Sequence, residues 1–203
     1  MKNSIKNISK AVFALALFTL AFTSCKKEND TAIPLNLNGA KASVSSVADT
    51  IVGRWGNPRF GGAVFGTVYA NIITGAQDTV GSIAYQLLFS GFNNSTITPT
   101  SGYTLSYLNT PKALSAIDAS DAASATTVPS LGISTTSNAA NTSGDANGWL
   151  VYATGGGVAA VQNLVIFVSD GVTTRALKFS SAVGQGTSTN NRGVYYFDRG
   201  TVL

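Results

Sequence analysis

The chemistry open to this chain is limited first by a missing side chain, because its 203 residues include no histidine. A Ser-His-Asp or Cys-His arrangement needs an imidazole base, so neither catalytic arrangement can form here. The usual zinc sites are excluded as well, since Cys25 is the single cysteine. We therefore predict a binding protein and not an enzyme.

Three short motifs have residue types that could form a site. Asp118 and Asp121 lie three residues apart and would share a helix face. Paired carboxylates can do acid–base work, but the pattern favours a solvated helix face. The segment GDANGW (144–149) begins like a calcium loop, but Gly156 stands where an EF-hand needs glutamate, which favours a polar turn. The segment TGGGVAA (154–160) lacks the lysine and spacing of a phosphate loop and predicts a flexible turn.

The N-terminal segment has the layout of a secretory signal peptide. Lys2, Lys6 and Lys10 precede a run of twelve uncharged, mostly apolar residues at 11–22. As a helix this run rises only about 18 Å, short of the roughly 30 Å hydrocarbon core of a bilayer. We predict a cleaved signal peptide over residues 1–24 and no permanent transmembrane helix.

Cys25 follows this segment directly. The tetrapeptide at 22–25, FTSC, resembles a bacterial lipobox, with Phe22 in the place of the usual leucine. That resemblance implies that the thiol is acylated and that Cys25 becomes the first residue of the mature chain. Acyl chains anchor a protein by about 0.8 kcal/mol per buried methylene group. We predict lipidation of Cys25; an ordinary signal peptide with an incidental cysteine is the alternative.

The residues after the cysteine bear on location. The stretch KKEND (26–30) resembles the export signals of surface lipoproteins in Bacteroidetes. This resemblance implies a lipid-anchored protein of the outer membrane that faces outward. The alternative is the solvated start of a tether, which we place at residues 25–48.

The basic composition belongs mostly to the N-terminal leader. The whole chain has a formal charge of +4 and a pI near 9.3. Without residues 1–24, three of the 13 basic side chains are lost and ten remain against nine acidic ones. No basic stripe is left to release counterions from a polyanion, so nucleic-acid binding is not predicted.

The rest of the chain predicts a mainly β fold, a single antiparallel β domain over residues 49–203 with at most one or two short helices. The many Gly, Ser, Thr and Val residues favour strands and turns. Period-two or apolar runs predict strands at 61–74, 82–92, 102–108, 148–153 and 193–200, and a hairpin at 163–179. Asp170 and Gly171 would form a two-residue turn in that hairpin.

The segment 109–148 is rich in Ala, Ser, Thr and Asn and has little core pattern. Thr110 and Pro111 would start a short helix as N-cap and N1 residues. Forty residues are too many for an ordinary connection. The segment is therefore either a functional loop or an elaborated surface loop.

The strand pattern resembles the HmuY-like lipoproteins, the haemophore family of Bacteroidetes. The resemblance rests on the strand YQLLF (85–89), the later Ser-Gly pair at 101–102, the strand WLVY (149–152), the Asp-Gly turn at 170–171 and the Tyr-rich strand at 193–197. It implies an HmuY-like β domain, capture of haem or a related tetrapyrrole, and a TonB-dependent outer-membrane receptor as partner. Gln86 departs from the aspartate that is usual in the family.

The family's haem ligands, histidine or methionine, have no counterpart in the mature chain, whose precursor contains only Met1. A tyrosinate can replace them as an iron ligand. Of seven tyrosines (Tyr69, Tyr85, Tyr103, Tyr107, Tyr152, Tyr195 and Tyr196) we single out Tyr103, Tyr107 and Tyr152. Haem binding predicts a cleft lined by the 109–148 segment with a tyrosine pointing in.

The alternative function is an adhesion module that binds a glycan or a protein and has kept the fold without haem. Glycan binding predicts an exposed aromatic platform. Trp55, between Arg54 and Arg59, is the better candidate for exposure, whereas Trp149 in an apolar strand is predicted to be core.

Overall fold

A computed structural model describes residues 44–134, 148–152 and 157–203. They fall within one compact unit, Lys41–Leu203. The predicted signal peptide, Cys25, most of the tether and the motif residues 144–147 and 154–156 lie outside the described residues.

The prediction of a mainly β domain is confirmed. The strands are β1 (Val47–Val52), β2 (Val68–Ala70), β3 (Gln77–Asp78), β4 (Leu87–Ser90), β5 (Thr96–Pro99), β6 (Thr104–Asn109), β7 (Thr126–Val128), β8 (Gly132–Ile133), β9 (Gly148–Tyr152), β10 (Val158–Ala160), β11 (Leu164–Ser169), β12 (Thr174–Gly186) and β13 (Asn191–Thr201). The described residues contain one α-helix, α1 (Ala119–Ala123), and three 3₁₀ turns, η1 (Pro58–Phe60), η2 (Phe92–Asn94) and η3 (Leu114–Ala116).

The strands form three sheets. A six-stranded antiparallel sheet has the order β1-β13-β12-β11-β6-β7, and a four-stranded antiparallel sheet has the order β3-β2-β4-β5. A small sheet, β10-β9-β8, includes the one parallel pair, β8 with β9. All three contribute to one hydrophobic core.

Aromatic side chains form the centre of this core. Trp149 on β9 is fully buried and contacts Phe89 of β4, Phe179 of β12 and Tyr195 of β13, with ring centroids 6.2, 4.3 and 4.9 Å away. Its indole nitrogen donates a hydrogen bond of 2.6 Å to the carbonyl of Ser95. The structure thus places Trp149 in the core, as its apolar strand indicated.

Two predicted strands are shorter than their patterns. Of residues 61–74 only β2 is a strand, because Gly61 and Gly66 take positive φ angles of 83° and 68° that break the extended chain. In 82–92 the strand begins only at Leu87. Leu87 and Phe89 are fully buried on the expected face.

The described part of the 109–148 segment is not an irregular loop. No helix begins at Thr110; α1 begins after Asp118, whose side chain caps it. Leu114 and Ile117 are buried in a second apolar cluster with Val165 and Phe167 of β11. This part of the segment therefore covers the six-stranded sheet, and β7 extends that sheet beside β6.

The hairpin of β11 and β12 forms as predicted, but its loop has four residues instead of two. Ser169 pairs with Thr174, and Asp170 Oδ1 accepts hydrogen bonds from the backbone amides of Val172 and Thr173 at 2.9 and 2.7 Å. The carboxylate thus stabilises a wider turn. Gly171 has the expected positive φ, 88°.

The folded part starts earlier than Asp49. Strand β1 begins at Val47 and pairs with β13, and Val44 is buried in the second cluster. The tether boundary predicted at residue 48 is therefore several residues too late. Besides the backbone pairing, an ion pair of 2.6 Å between Asp49 of β1 and Arg199 of β13 holds this segment on the sheet.

We expect Trp149→Phe to lower the free energy of unfolding by about 2 kcal/mol. The smaller phenyl ring leaves a cavity in the core, and the Ser95 carbonyl loses its hydrogen-bond donor. Urea denaturation followed by circular dichroism measures this. The matched control is Trp55→Phe, at a 43% exposed position, which we expect to change stability by less than about 0.5 kcal/mol. Equal losses in the two variants would contradict the central place given to Trp149.

Candidate functional site

A cavity of about 380 Å³ lies where β12 turns into β13, and we call it the hairpin-tip cavity. Its lining comes from the loop 53–66, from η2, from the end of β9 and from the β12–β13 tip. The lining residues are Asn57, Phe60, Asn93, Tyr152, Gly184, Gln185, Gly186, Thr187, Ser188, Asn191 and Arg192. Most are uncharged and polar, and Arg192 is the one charged residue among them.

Hydrogen bonds fix the loop against the hairpin tip. Gly56 and Asn191 exchange two backbone bonds of 2.9 Å, and Asn57 Nδ2 donates to the carbonyl of Ser188 at 2.8 Å. Gly62 is required for this packing, because a Cβ atom there would collide with the carbonyl oxygen of Thr189. The cavity wall is therefore built by contacts between distant parts of the chain.

The base of the cavity depends on two consecutive asparagines. Asn93 and Asn94 have positive φ angles of 52° and 56°, a conformation that asparagine tolerates better than most residues. Asn94 is fully buried; its Oδ1 accepts from the Arg54 amide at 2.7 Å, and its Nδ2 donates to the carbonyls of Gly66 and Phe89. One side chain thus joins the loop 53–66 to β4.

Tyr195 holds the neighbouring residue. Its hydroxyl donates to the carbonyl of Asn93, and its ring is fully buried in the core. Burial raises the pKa of the Tyr195 phenol above its usual value, so the group stays a protonated donor. This tyrosine therefore has a structural role and cannot easily supply a tyrosinate.

Three side-chain oxygens in the cavity lining lack a partner. The Oδ1 atoms of Asn57, Asn93 and Asn191 are shielded from solvent and accept no hydrogen bond from any described residue. Asn57 and Asn93 are only 3% and 5% exposed. An unpaired buried acceptor costs about 1–3 kcal/mol, so a molecule that donates hydrogen bonds here would recover that cost.

Two aromatic side chains belong to the cavity lining, and a third lies beside it. Phe60 and Tyr152 line the cavity and are 56% and 38% exposed. Trp55 lies beside it, with the guanidinium of Arg192 over its ring at 4.5 Å. Phe92 meets Tyr152 edge-on at 5.4 Å, which supports the tyrosine ring from one side. The cavity lining therefore combines exposed aromatic surfaces with polar groups.

The structure separates the three singled-out tyrosines. Tyr152 lines the hairpin-tip cavity, Tyr107 is buried in the core, and Tyr103 packs half-buried against it. Of the others, Tyr69 and Tyr85 contact each other at 4.8 Å, and Tyr196 is exposed on β13.

The two features expected of a haem cleft, residues of the 109–148 segment and a candidate tyrosine, occur in two different cavities. A second cavity of about 480 Å³ is lined partly by residues 119–127, within the long segment, but by no tyrosine among the described residues. The hairpin-tip cavity has Tyr152 but no lining residue from 109–134. Neither of these two cavities combines residues of the described part of the long segment with a candidate tyrosine.

Asp118 and Asp121 form a capping box rather than a solvated face or an acid–base pair. Asp118 Oδ1 accepts from the amides of Ser120 and Asp121, and Asp121 Oδ2 accepts from the Asp118 amide at 3.0 Å. Asp121 is buried and pairs with Lys112 at 2.6 Å. Hydrogen bonding, first from the Ser120 hydroxyl, lowers the pKa of Asp118.

The described residues were also compared with the requirements of a metal site and of a membrane-spanning helix. Within 44–134, 148–152 and 157–203, no three His, Cys, Asp or Glu side chains gather as a metal site. No helix in that part of the chain has the length and apolar character needed to cross a membrane.

Comparisons of the chain with protein-family models, curated proteins and solved structures found no match. The resemblance to HmuY-like lipoproteins therefore stays a prediction from the sequence. What the cavity can bind has to be argued from its own side chains.

The sequence patterns did not identify Asn57, Asn93, Asn191 or Arg192. The available signals were the glycine-rich segment 53–62 and the consecutive asparagines at 93–94, which are typical of turns with positive φ. Neither signal shows which distant segment the turn will meet.

We expect Tyr195→Phe to cost about 1–3 kcal/mol of unfolding free energy, because the Asn93 carbonyl loses its donor in a buried place. Urea denaturation measures the loss. Tyr196→Phe is the matched control on the next, exposed residue of β13 and should be near neutral. If both variants were equally stable, the hydroxyl of Tyr195 would not support the cavity base.

Proposed function

We propose that the protein is a surface-anchored binding lipoprotein whose hairpin-tip cavity takes a carbohydrate. The observation that carries this proposal is that three residues with unpartnered carboxamide oxygens line the same cavity as two exposed aromatic rings. Anchoring rests on the lipobox-like segment that ends at Cys25.

The chemistry of a sugar matches both parts of the site. Sugar hydroxyls donate hydrogen bonds, and the carboxamide oxygens of Asn57, Asn93 and Asn191 are acceptors without a partner. The C–H faces of a pyranose ring are apolar and can pack on the rings of Phe60 and Tyr152. A volume of about 380 Å³ fits one or two sugar units and lies within the range of ligand pockets, about 300–1,000 Å³.

Haem is the second candidate, and one observation favours it. Tyr152 is the singled-out tyrosine that lines a cavity, and no described residue bonds its hydroxyl. A tyrosinate can bind haem iron. The polar lining suits a sugar better than the apolar face of a porphyrin, so we place haem second. A TonB-dependent receptor would be the partner expected with haem.

A glycan array with the lipid-free mature chain, followed by calorimetry on the hits, tests the first candidate. We expect Tyr152→Ala to weaken the binding of a hit about tenfold, or about 1.4 kcal/mol, because one ring of the platform is lost. Tyr196→Ala is the control, since Tyr196 is similarly exposed (41%) but lies outside the cavity lining. Binding to no glycan, or equal weakening by both variants, would count against the proposal.

A haemin titration of the same protein separates the second candidate. If haem binds through Tyr152, the titration gives a saturable, shifted Soret band that Tyr152→Phe abolishes. A featureless titration would remove haem and leave the carbohydrate proposal intact.

A further inference from the structure

Building on the proposed carbohydrate function, we infer that the ligand is an acidic sugar, a uronate, whose carboxylate is bound by Arg192. Arg192 is the one charged side chain in the cavity lining. A carboxylate is the ligand group that a guanidinium recognises best in a planar, two-bond geometry.

Arg192 is fixed in orientation before any ligand binds. Its Nε donates to Gln185 Oε1 at 2.9 Å, and its guanidinium lies 4.5 Å from the centre of the Trp55 ring. Both contacts restrict the side chain, which lowers the entropy that it loses on binding. The two terminal nitrogens have no acceptor among the described residues and keep their hydrogens available.

The two segments that form most of the cavity wall carry positive but no negative side chains. Arg54 and Arg59 lie in the loop 53–66, and that loop and residues 184–193 contain no aspartate or glutamate. The two ion pairs found in the described residues, Lys112 with Asp121 and Asp49 with Arg199, involve none of these three arginines. An anionic ligand is therefore attracted to this end of the domain, and a cation is repelled.

The asparagine oxygens and Arg192 favour different chemical groups of the ligand. The unpaired oxygens of Asn57, Asn93 and Asn191 repel a carboxylate but accept from hydroxyl groups. The carboxylate is thus directed to Arg192, and the hydroxyls of the same sugar are directed to the asparagines. A uronate unit carries both kinds of group on one ring.

The test uses the lipid-free mature chain and three trisaccharides of equal length: galacturonate, neutral galactose and sulfated galactose. Calorimetry at low salt should give galacturonate at least tenfold tighter binding than the neutral sugar. Arg192→Gln should lower the galacturonate affinity about tenfold, to the level that the neutral sugar shows with the unaltered protein. Arg192→Lys keeps the charge but lacks the planar fork, so we expect it to recover only part of the loss.

Arg175→Gln is the control, because Arg175 lies at the other end of β12 and outside the cavity lining. Thermal melting checks that each variant is folded. If Arg192→Gln does not fold, the comparison is made with Arg192→Lys. Equal binding of galacturonate and neutral sugar would overturn the inference and leave the carbohydrate proposal standing. If sulfated galactose bound as much more tightly than neutral galactose as galacturonate does, the carboxylate assignment would be overturned. If none of the three sugars bound, both proposals would be overturned.

Discussion

The site depends on the buried amide groups of the Asn93–Asn94 turn. Asn94 bonds the loop 53–66 at two points and β4 at a third, while Tyr195 of β13 bonds the carbonyl of Asn93. These contacts join the four-stranded sheet, the loop and the six-stranded sheet at one place. Asn94 and Tyr195 are themselves fully buried, so loss of either side chain leaves polar groups unpaired, and these bonds hold the cavity base in place.

The fold leaves some polar groups unpaired beside this base. Asn94 has its side-chain groups bonded, whereas the oxygens of Asn57, Asn93 and Asn191 accept nothing from the described chain. Native proteins carry few such groups, and they often mark a place where a ligand or water binds. A cavity with unpaired acceptors, a fixed guanidinium and exposed rings is prepared for a small polar ligand at low ordering cost.

The features that could be predicted from the sequence are those that regular local patterns of residues determine. Strands at 163–179 and 193–200 and the burial of Trp149 follow from alternating or continuous apolar residues. The cavity could not be predicted, because its walls come from contacts between distant residues, such as Asn57 with Ser188, 131 positions apart. The packing of residues 109–134 against the sheet was not predicted, because Leu114 and Ile117, widely spaced among small residues, carry the burial.

The central claim, that the hairpin-tip cavity binds an acidic sugar, is tested most directly by NMR. Galacturonate trisaccharide is titrated into isotope-labelled lipid-free protein, and side-chain N–H resonances are followed. The account predicts saturable shifts of Arg192 Nε–H and of the Asn57 and Asn191 amide groups, with little change at Gln86, which is buried outside the cavity lining. Saturable shifts confined to residues outside this lining would contradict it.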